Sequence, residues 1–327
     1  MNPHDFIFYE KLSFEERCTR VYKYQAKKNP VFKTYLSVFG LDDDSEISSK
    51  EIPLIPIRAF KHRTILCEDK KYRLTFKSSG TSGMVRSTHH IADPEIYEKS
   101  IEKEFYRHFP AEKYALLCHM PGYRQNPESS LIWMANHLIK NDSSGLSCFL
   151  DDKVDLRKWI EQVNKQGKTI LIFGAAFGLI DLLDEDIDLF PETTAILETG
   201  GMKTHRREMS KTELRKTLSN GFKIPAEQIH SEYGMCELLS QMYAIGNEWF
   251  STPHWVQVTI RNAENPSQIC TPGEEGKIGI IDLANFYSCS FILTEDRGVM
   301  QPDGTFRVLG RWNPENLRGC NFLIDKD

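Results

Sequence analysis

Asp155-Leu-Arg-Lys-Trp-Ile-Glu-Gln-Val-Asn-Lys-Gln166 reads as a helix, and it leads into Thr169-Ile-Leu-Ile-Phe173, which reads as a buried strand. Upstream, Tyr114-Ala-Leu-Leu-Cys-His119 is a second buried strand, and Ala195-Ile-Leu-Glu198 downstream is a weaker third. A further helical segment is predicted over residues 203–218. Strands alternating with helices in this way imply an α/β fold, a mainly parallel sheet covered on both faces. From about Trp255 onwards the pattern changes to short strands, at 256–260, 276–283, 290–294 and 305–309. These predict a small antiparallel β element at the C-terminal end, packed against the α/β body.

Toward the N-terminus, apolar residues recur at helical spacing: Phe14, Cys18, Val21, Tyr22 and Tyr24, then Val31, Tyr35, Leu36 and Phe39 after a break at Pro30. The polar run 41–49 is a loop. Between Pro53 and Pro56 the chain must run extended, since each proline disfavours a helical residue before it. No clear linker interrupts the sequence. Residues 1–327 therefore read as one composite domain: a helical N-terminal part (1–70), an α/β body (71–250), and the antiparallel element with its tail (251–327).

A length of 327 residues allows one large domain or two of ordinary size. With 40% hydrophobic and 27% charged residues, collagen-like, coiled-coil and wholly disordered classes drop out. The net charge of -5, without a strong basic block, argues against nucleic acid as the main partner. The apolar stretch at 170–180 is too short for a transmembrane segment. The N-terminus, Met-Asn-Pro-His-Asp, lacks the basic region and apolar core of a signal peptide, so a cytoplasmic location is expected. Eight cysteines, without a C-x-x-C pair, read as single thiols, most of them buried.

Three segments carry chemistry. In Ser78-Ser79-Gly80-Thr81-Ser82-Gly83, the glycines allow a close backbone approach to a ligand. Its hydroxyls and N–H groups can donate to phosphate oxygens, and Arg86 adds a positive charge. A serine-rich turn is the plainer reading. In His230-Ser-Glu-Tyr233-Gly234-Met-Cys236-Glu237, the tyrosine offers a flat stacking surface, and Glu237 is a carboxylate able to hold Mg2+ against phosphates. A loop entering a helix, with Glu237 in the first turn, would give the same letters. In Thr294-Glu-Asp296-Arg-Gly298, followed by Asp303-Gly304 and Gly310-Arg311, an aspartate can accept both hydroxyls of a ribose and an arginine can complete the clamp. Asp303-Gly304 alone is a hairpin turn.

In this order and spacing, the three segments resemble the adenylate-forming superfamily of acyl and aryl acid ligases. The resemblance spans residues from about 74 to the C-terminus. It implies that Ser79, Gly80, Thr81, Ser82 and Gly83 with Arg86 hold the triphosphate of ATP. Tyr233, beside Gly234, would stack on adenine, and Glu237 would bind Mg2+. Asp296 and Arg311 would hold the ribose, and Gly200-Gly201 would line the adenine pocket. Three departures stand out. Val85 and Arg86 replace the usual proline and lysine, and Cys236 replaces the usual threonine. The sequence also ends at Asp327, before the small mobile domain, with its catalytic lysine, that most members carry.

That ending, Arg318-Gly-Cys320 within it, and Glu198-Thr-Gly-Gly-Met-Lys203 look like the acyl-protein synthetase branch, the LuxE type known from the fatty-acid reductase complex of luminous bacteria. The branch implies activation of a fatty acid or other carboxylic acid with ATP and Mg2+, then transfer to the matching cysteine, Cys320. Arg318 would favour its thiolate. An acyl-CoA reductase-like or carrier protein would then accept the acyl group. Two readings stay open beside this one. A ligase could hand its adenylate straight to an external thiol or amine, or a non-catalytic subunit could bind nucleotide or acyl groups. Among the other candidates, Cys236 is blunted by the neighbouring Glu237 charge. His89-His90-Ile-Ala-Asp93 has the wrong spacing for an acyltransferase motif. Small residues at 170–180 could leave room for an aliphatic chain.

Overall fold

A computed structural model describes residues 2–9, 11–78, 85–152, 154–184, 189–200 and 209–312. Helix α1 (Phe14–Lys28) starts at a reciprocal cap, in which Ser13 accepts from the Glu16 N–H and the Glu16 carboxylate accepts from Ser13. It stops at Asn29, whose side chain caps helix α2 (Pro30–Ser37), so the break expected at Pro30 is where one cap ends a helix and opens the next. Strand β1 (Ile55–Pro56), the short helix α3 (Ala59–His62) and an antiparallel hairpin of β2 (Leu74–Lys77) and β3 (Thr88–Ile91) follow.

The α/β body runs α4 (Pro94–His108), β4 (Tyr114–His119), α5 (Ser130–Lys140), β5 (Cys148–Phe149), α6 (Leu156–Lys165), β6 (Thr169–Ala175), α7 (Ala176–Leu182), β7 (Ala195–Thr199), α8 (Lys211–Phe222), β8 (Ile229–Tyr233) and β9 (Met242–Ala244). Its sheet has the order β5-β4-β6-β7-β8-β9, parallel throughout except for β9. Both faces are covered, as the apolar runs implied. Ile170 and Ile172 pack with Trp159, Val163, Leu179 and Leu218 on one side. Leu171 and Phe173 pack with Ile101, Phe105 and Leu138 on the other.

Helix α8 differs from the expected 203–218. It begins at Lys211, where the Ser210 hydroxyl accepts from the Glu213 N–H, and continues to Phe222. Residues 203–208 of that expectation lie outside the described residues, and the Ser210 cap sets the start of the helix at Lys211. The small residues of 170–180 also serve another purpose than expected. A Cβ at Gly174 would lie 2.7 Å from a Leu179 methyl, and one at Gly178 would lie 2.6 Å from the Pro121 ring, so both glycines permit close packing instead of opening a channel.

The second sheet is built from β1, β10 (Val256–Arg261), β11 (Gly276–Asp282), β12 (Phe291–Met300) and β13 (Phe306–Arg311). Strand β12 is twice the expected length. One edge pairs with β11, and the other pairs first with β1 in parallel and then with β13 antiparallel. The N-terminal segment is thereby part of this sheet. Gln25 reinforces the join, donating 2.9 Å bonds to the carbonyls of Asn285 and Phe286 and accepting from the Ser290 N–H. The two sheets meet at their rims, where Phe250 and Phe306 exchange backbone hydrogen bonds of 2.7 and 3.1 Å.

Candidate active site

Tyr233 is the last residue of β8, at the C-terminal end of the parallel strands, where open α/β sheets place their ligands. Its ring lies 5.8 Å from those of both Phe250 and Phe306, at the seam between the sheets. Its hydroxyl donates to Asp296 Oδ2 at 2.7 Å. Asp296 sits on β12 just where the partner strand changes from β1 to β13, and its registered neighbour on β13 is Arg311. Arg311 Nε lies 3.8 Å from Asp296 Oδ1. Burial pushes the Asp296 carboxyl above its usual range, against the opposing pull of the Tyr233 hydroxyl and the Arg311 charge. The expected tyrosine, aspartate and arginine are thus brought together.

Gly234 follows without a left-handed backbone. A Cβ there would lie 2.3 Å from a Glu232 carboxylate oxygen, so glycine leaves room for that carboxylate where it stands. Glu232 is fully buried, accepts a hydrogen bond from Thr199 and has its carboxyl raised to about 7, first by burial. Its register partner on β7 is Thr199, and Glu198, one residue earlier on that strand, is bonded by Lys211 at 2.6 Å. Gly200 turns off β7 at φ +74, a left-handed conformation that favours glycine.

Glu237 lies in a turn between β8 and β9, not in the first turn of a helix. Only 5% of it is exposed, and burial raises its carboxyl while the Ser87 hydroxyl and the Arg311 charge oppose that rise. Asp296 acts on it in the raising direction, so the two carboxylates and Arg311 share one electrostatic environment. The turn is pinned from three directions. His89 donates to the Cys236 carbonyl at 2.9 Å, Asn285 donates to the Glu237 carbonyl at 2.8 Å, and Asp282 accepts from the Leu239 N–H and the Ser240 hydroxyl. Cys236 itself is buried, and its thiol is pushed far up by burial before the Glu237 charge adds to it. It is unfit as a nucleophile for that reason more than for the expected one.

Ser79, Gly80, Thr81, Ser82 and Gly83, together with Gly201 and Cys320, lie outside the described residues. The neck of the first loop is described. Ser78 and Ser87 exchange backbone and side-chain bonds across the hairpin, and Arg86 donates to the Ser78 carbonyl at 2.5 Å and to the Lys77 carbonyl at 3.3 Å. Arg86 therefore clasps the base of the loop as well as placing a charge there. Cys18, Cys67, Cys118, Cys148, Cys236, Cys270 and Cys289 are all free thiols.

Several supporting residues carried no local motif. Asp282 and Asn285 stand singly in the sequence, and only a polar residue closing the apolar run at 276–283 hinted at the first. Arg58, which pairs with Glu295 next to Asp296, comes from the N-terminal segment that contributed least to the sequence resemblance.

The family model for acyl-protein synthetase, LuxE, matches residues 129–327, more than half of the chain. The chain belongs to the LuxE acyl-protein synthetase family. The comparison with curated proteins found no match. Solved structures of similar fold include a 2-hydroxyisobutyryl-CoA ligase in an open conformation with 2-HIB-AMP and CoA, at a TM-score of 0.68 and 10% identity over 90% of this chain and 68% of that one. O-succinylbenzoate coenzyme A synthetase from Bacillus subtilis, in complex with AMP, aligns at 0.50 and 18%, over 74% of this chain and 50% of that one. ATP-bound MatB from Rhodopseudomonas palustris aligns at 0.52 and 14%, over 74% and 48%. This LuxE-family chain thus spans about half to two thirds of the length of these structures, and it has the fold of adenylate-forming ligases. No helix among its described residues is long and apolar enough to cross a membrane.

Proposed function

We propose that this LuxE-family protein activates a carboxylic acid, with a fatty acid as the expected class, as an acyl-adenylate, and then passes the acyl group to Cys320 for delivery to a partner. The observation that carries the reading is the convergence of Tyr233, Asp296 and Arg311 at the seam of two sheets, with Glu237 in the same electrostatic environment. The nucleotide complexes of the similar ligases support it, since the ATP of MatB and the AMP of the succinylbenzoate enzyme are held on the same fold.

In the first half-reaction a carboxylate oxygen attacks the α-phosphorus of ATP. A phosphorus–oxygen bond forms, the α–β phosphoanhydride bond breaks and pyrophosphate leaves with the electron pair. Two anions must meet, so alignment and charge neutralisation dominate. Asp296 accepts from the ribose hydroxyls in place of the Tyr233 hydroxyl, freeing the tyrosine ring for adenine, with Gly200 and Gly201 on the adenine side. The donors of residues 79–83 would hold the triphosphate, and Arg86, with N–H groups beyond those bonded to Ser78 and Lys77, would add positive charge there.

Magnesium fits the chemistry of Glu237, a buried carboxylate whose ionised form burial alone disfavours. When bound, the ion would offset charge on the triphosphate. Glu237 would hold it, with its peptide fixed by Asn285 and His89.

In the second half-reaction the Cys320 thiolate attacks the acyl carbonyl. The new carbon–sulfur bond replaces the bond to AMP, which departs as the leaving group. An acyl-CoA reductase-like or carrier protein then takes the thioester. The free thiols suit a reducing compartment such as the cytoplasm. Intact-protein mass spectrometry after incubation with ATP and acid tests this step. An acyl adduct that hydroxylamine removes at neutral pH is expected on the wild type and absent from Cys320→Ser. The same adduct on both proteins would move the acceptor to another residue.

A further inference from the structure

The histidine pair that matched no acyltransferase motif has a place in this structure. His89 is fully buried on β3, opposite Phe76 and edge-on to Phe60 at 5.4 Å. Nδ1 lies 2.9 Å from the Cys236 carbonyl oxygen, and a carbonyl can only accept, so Nδ1 carries the proton. Nε2, 2.8 Å from the Ser288 hydroxyl, then accepts from it. Burial favours this neutral form. Ser288 is fixed in turn, because its carbonyl accepts from Asn29 at 2.6 Å.

One imidazole therefore spans three elements. It sits on the strand leaving the 79–84 loop, grips the peptide just before Glu237 and leans on the turn that precedes β12. We propose that His89 is a positioning residue for Glu237. Through the Cys236 carbonyl it sets the Glu237 carboxylate relative to the loop neck at Ser78 and Ser87, so that the metal-holding group and the triphosphate loop keep one geometry. The inference rests on the nucleotide and magnesium reading of the site. It differs from simple core filling because the two ring nitrogens have separate tasks and only the Nδ1 bond reaches the Glu237 turn.

Asparagine and glutamine separate those tasks. His89→Asn retains a donor where Nδ1 stands, and His89→Gln retains a polar group where Nε2 stands. His89→Leu keeps bulk alone, and Ser288→Ala removes the distal contact together with a long 3.4 Å bond to the Asn285 carbonyl. The probe is Mn2+ with ATP, titrated by electron paramagnetic resonance, alongside the Mg2+ concentration giving half-maximal pyrophosphate exchange. His89→Gln and His89→Leu should weaken Mn2+ binding by about tenfold or more, the usual effect of losing a group that orients a metal ligand. His89→Asn should stay within about threefold of wild type by the same reasoning, as should Ser288→Ala. If His89→Leu does not fold, the asparagine–glutamine pair decides. The proposal is overturned if folded Asn and Gln variants bind Mn2+ equally well, or if every variant lowers melting temperature and active fraction while the metal midpoint stays at the wild-type value. A wild type that neither exchanges pyrophosphate nor binds Mn2+ with ATP would overturn the nucleotide reading itself. An active wild type with indifferent variants removes only the role of His89.

Discussion

The Tyr233 hydroxyl donates to the Asp296 carboxylate at 2.7 Å, joining the last residue of a parallel strand to the point where β12 changes partners. This bond links the two sheets through side chains, beside the backbone link of Phe250 with Phe306. It also holds the carboxylate that a ribose would need. In the proposed reading, a bound nucleotide would exchange it for bonds from its own ribose hydroxyls.

Substitutions at the two residues should have different effects. Tyr233→Phe keeps the ring but removes the hydroxyl that the ribose must displace, so the KM for ATP should fall, by up to several-fold, the weight of about 1 kcal/mol for a single hydrogen bond. Asp296→Asn removes the charged acceptor and should raise that KM by at least about tenfold, the weight of a charge-assisted bond. It should also erase the preference for ATP over 2′,3′-dideoxy-ATP. Steady-state kinetics with both nucleotides checks this, and an Asp296→Asn variant that still discriminates between them would remove the ribose from this site.

Glu232 predicts a pH-dependent stability. Burial raises its carboxyl from 4.5 to about 7 in the folded protein. Between those values the unfolded chain has lost its proton and the folded chain still holds it, so stability should fall as pH rises through that window. Asp282, raised from 3.8 to about 6 by burial, acts with the same sign. Glu232→Gln should flatten part of the slope and be the more stable protein at pH 8, by an amount on the order of a few kcal/mol. Urea unfolding of both proteins at pH 5 and pH 8 checks it. Parallel slopes would mean that Glu232 is ionised in the native state.

Much of the site was legible because its chemistry sits on short segments with strong local signatures. Tyr233, Glu237, Asp296 and Arg311 each stood out by residues one to four positions away, their order suggested the family resemblance that grouped them, and the structure brings Tyr233, Asp296 and Arg311 together. The parallel body was legible from apolar runs such as Thr169 to Phe173, whose alternate residues face two cores. The remaining features depend on partners distant in sequence. No local pattern says that Ile55 will pair with Ile292, or that Gln25 will satisfy carbonyls at 285 and 286. The same holds for His89, Asp282 and Asn285, whose value lies in buried hydrogen bonds to a turn in another part of the chain. Glycine was legible as a residue type but not always for its reason, since Gly234 answers to a carboxylate and Gly174 to a leucine.

Incorporation of labelled pyrophosphate into ATP, measured across a panel of carboxylic acids, tests adenylation most directly, because it needs neither Cys320 nor a partner. The wild type should exchange only when a suitable acid is present. Glu237→Ala, with an unchanged melting temperature, should be slower by at least about a hundredfold, as expected when a metal-holding and charge-placing group is lost. A folded Glu237→Ala protein that exchanges at the wild-type rate, or a wild type that exchanges with no acid in the panel, would contradict the account.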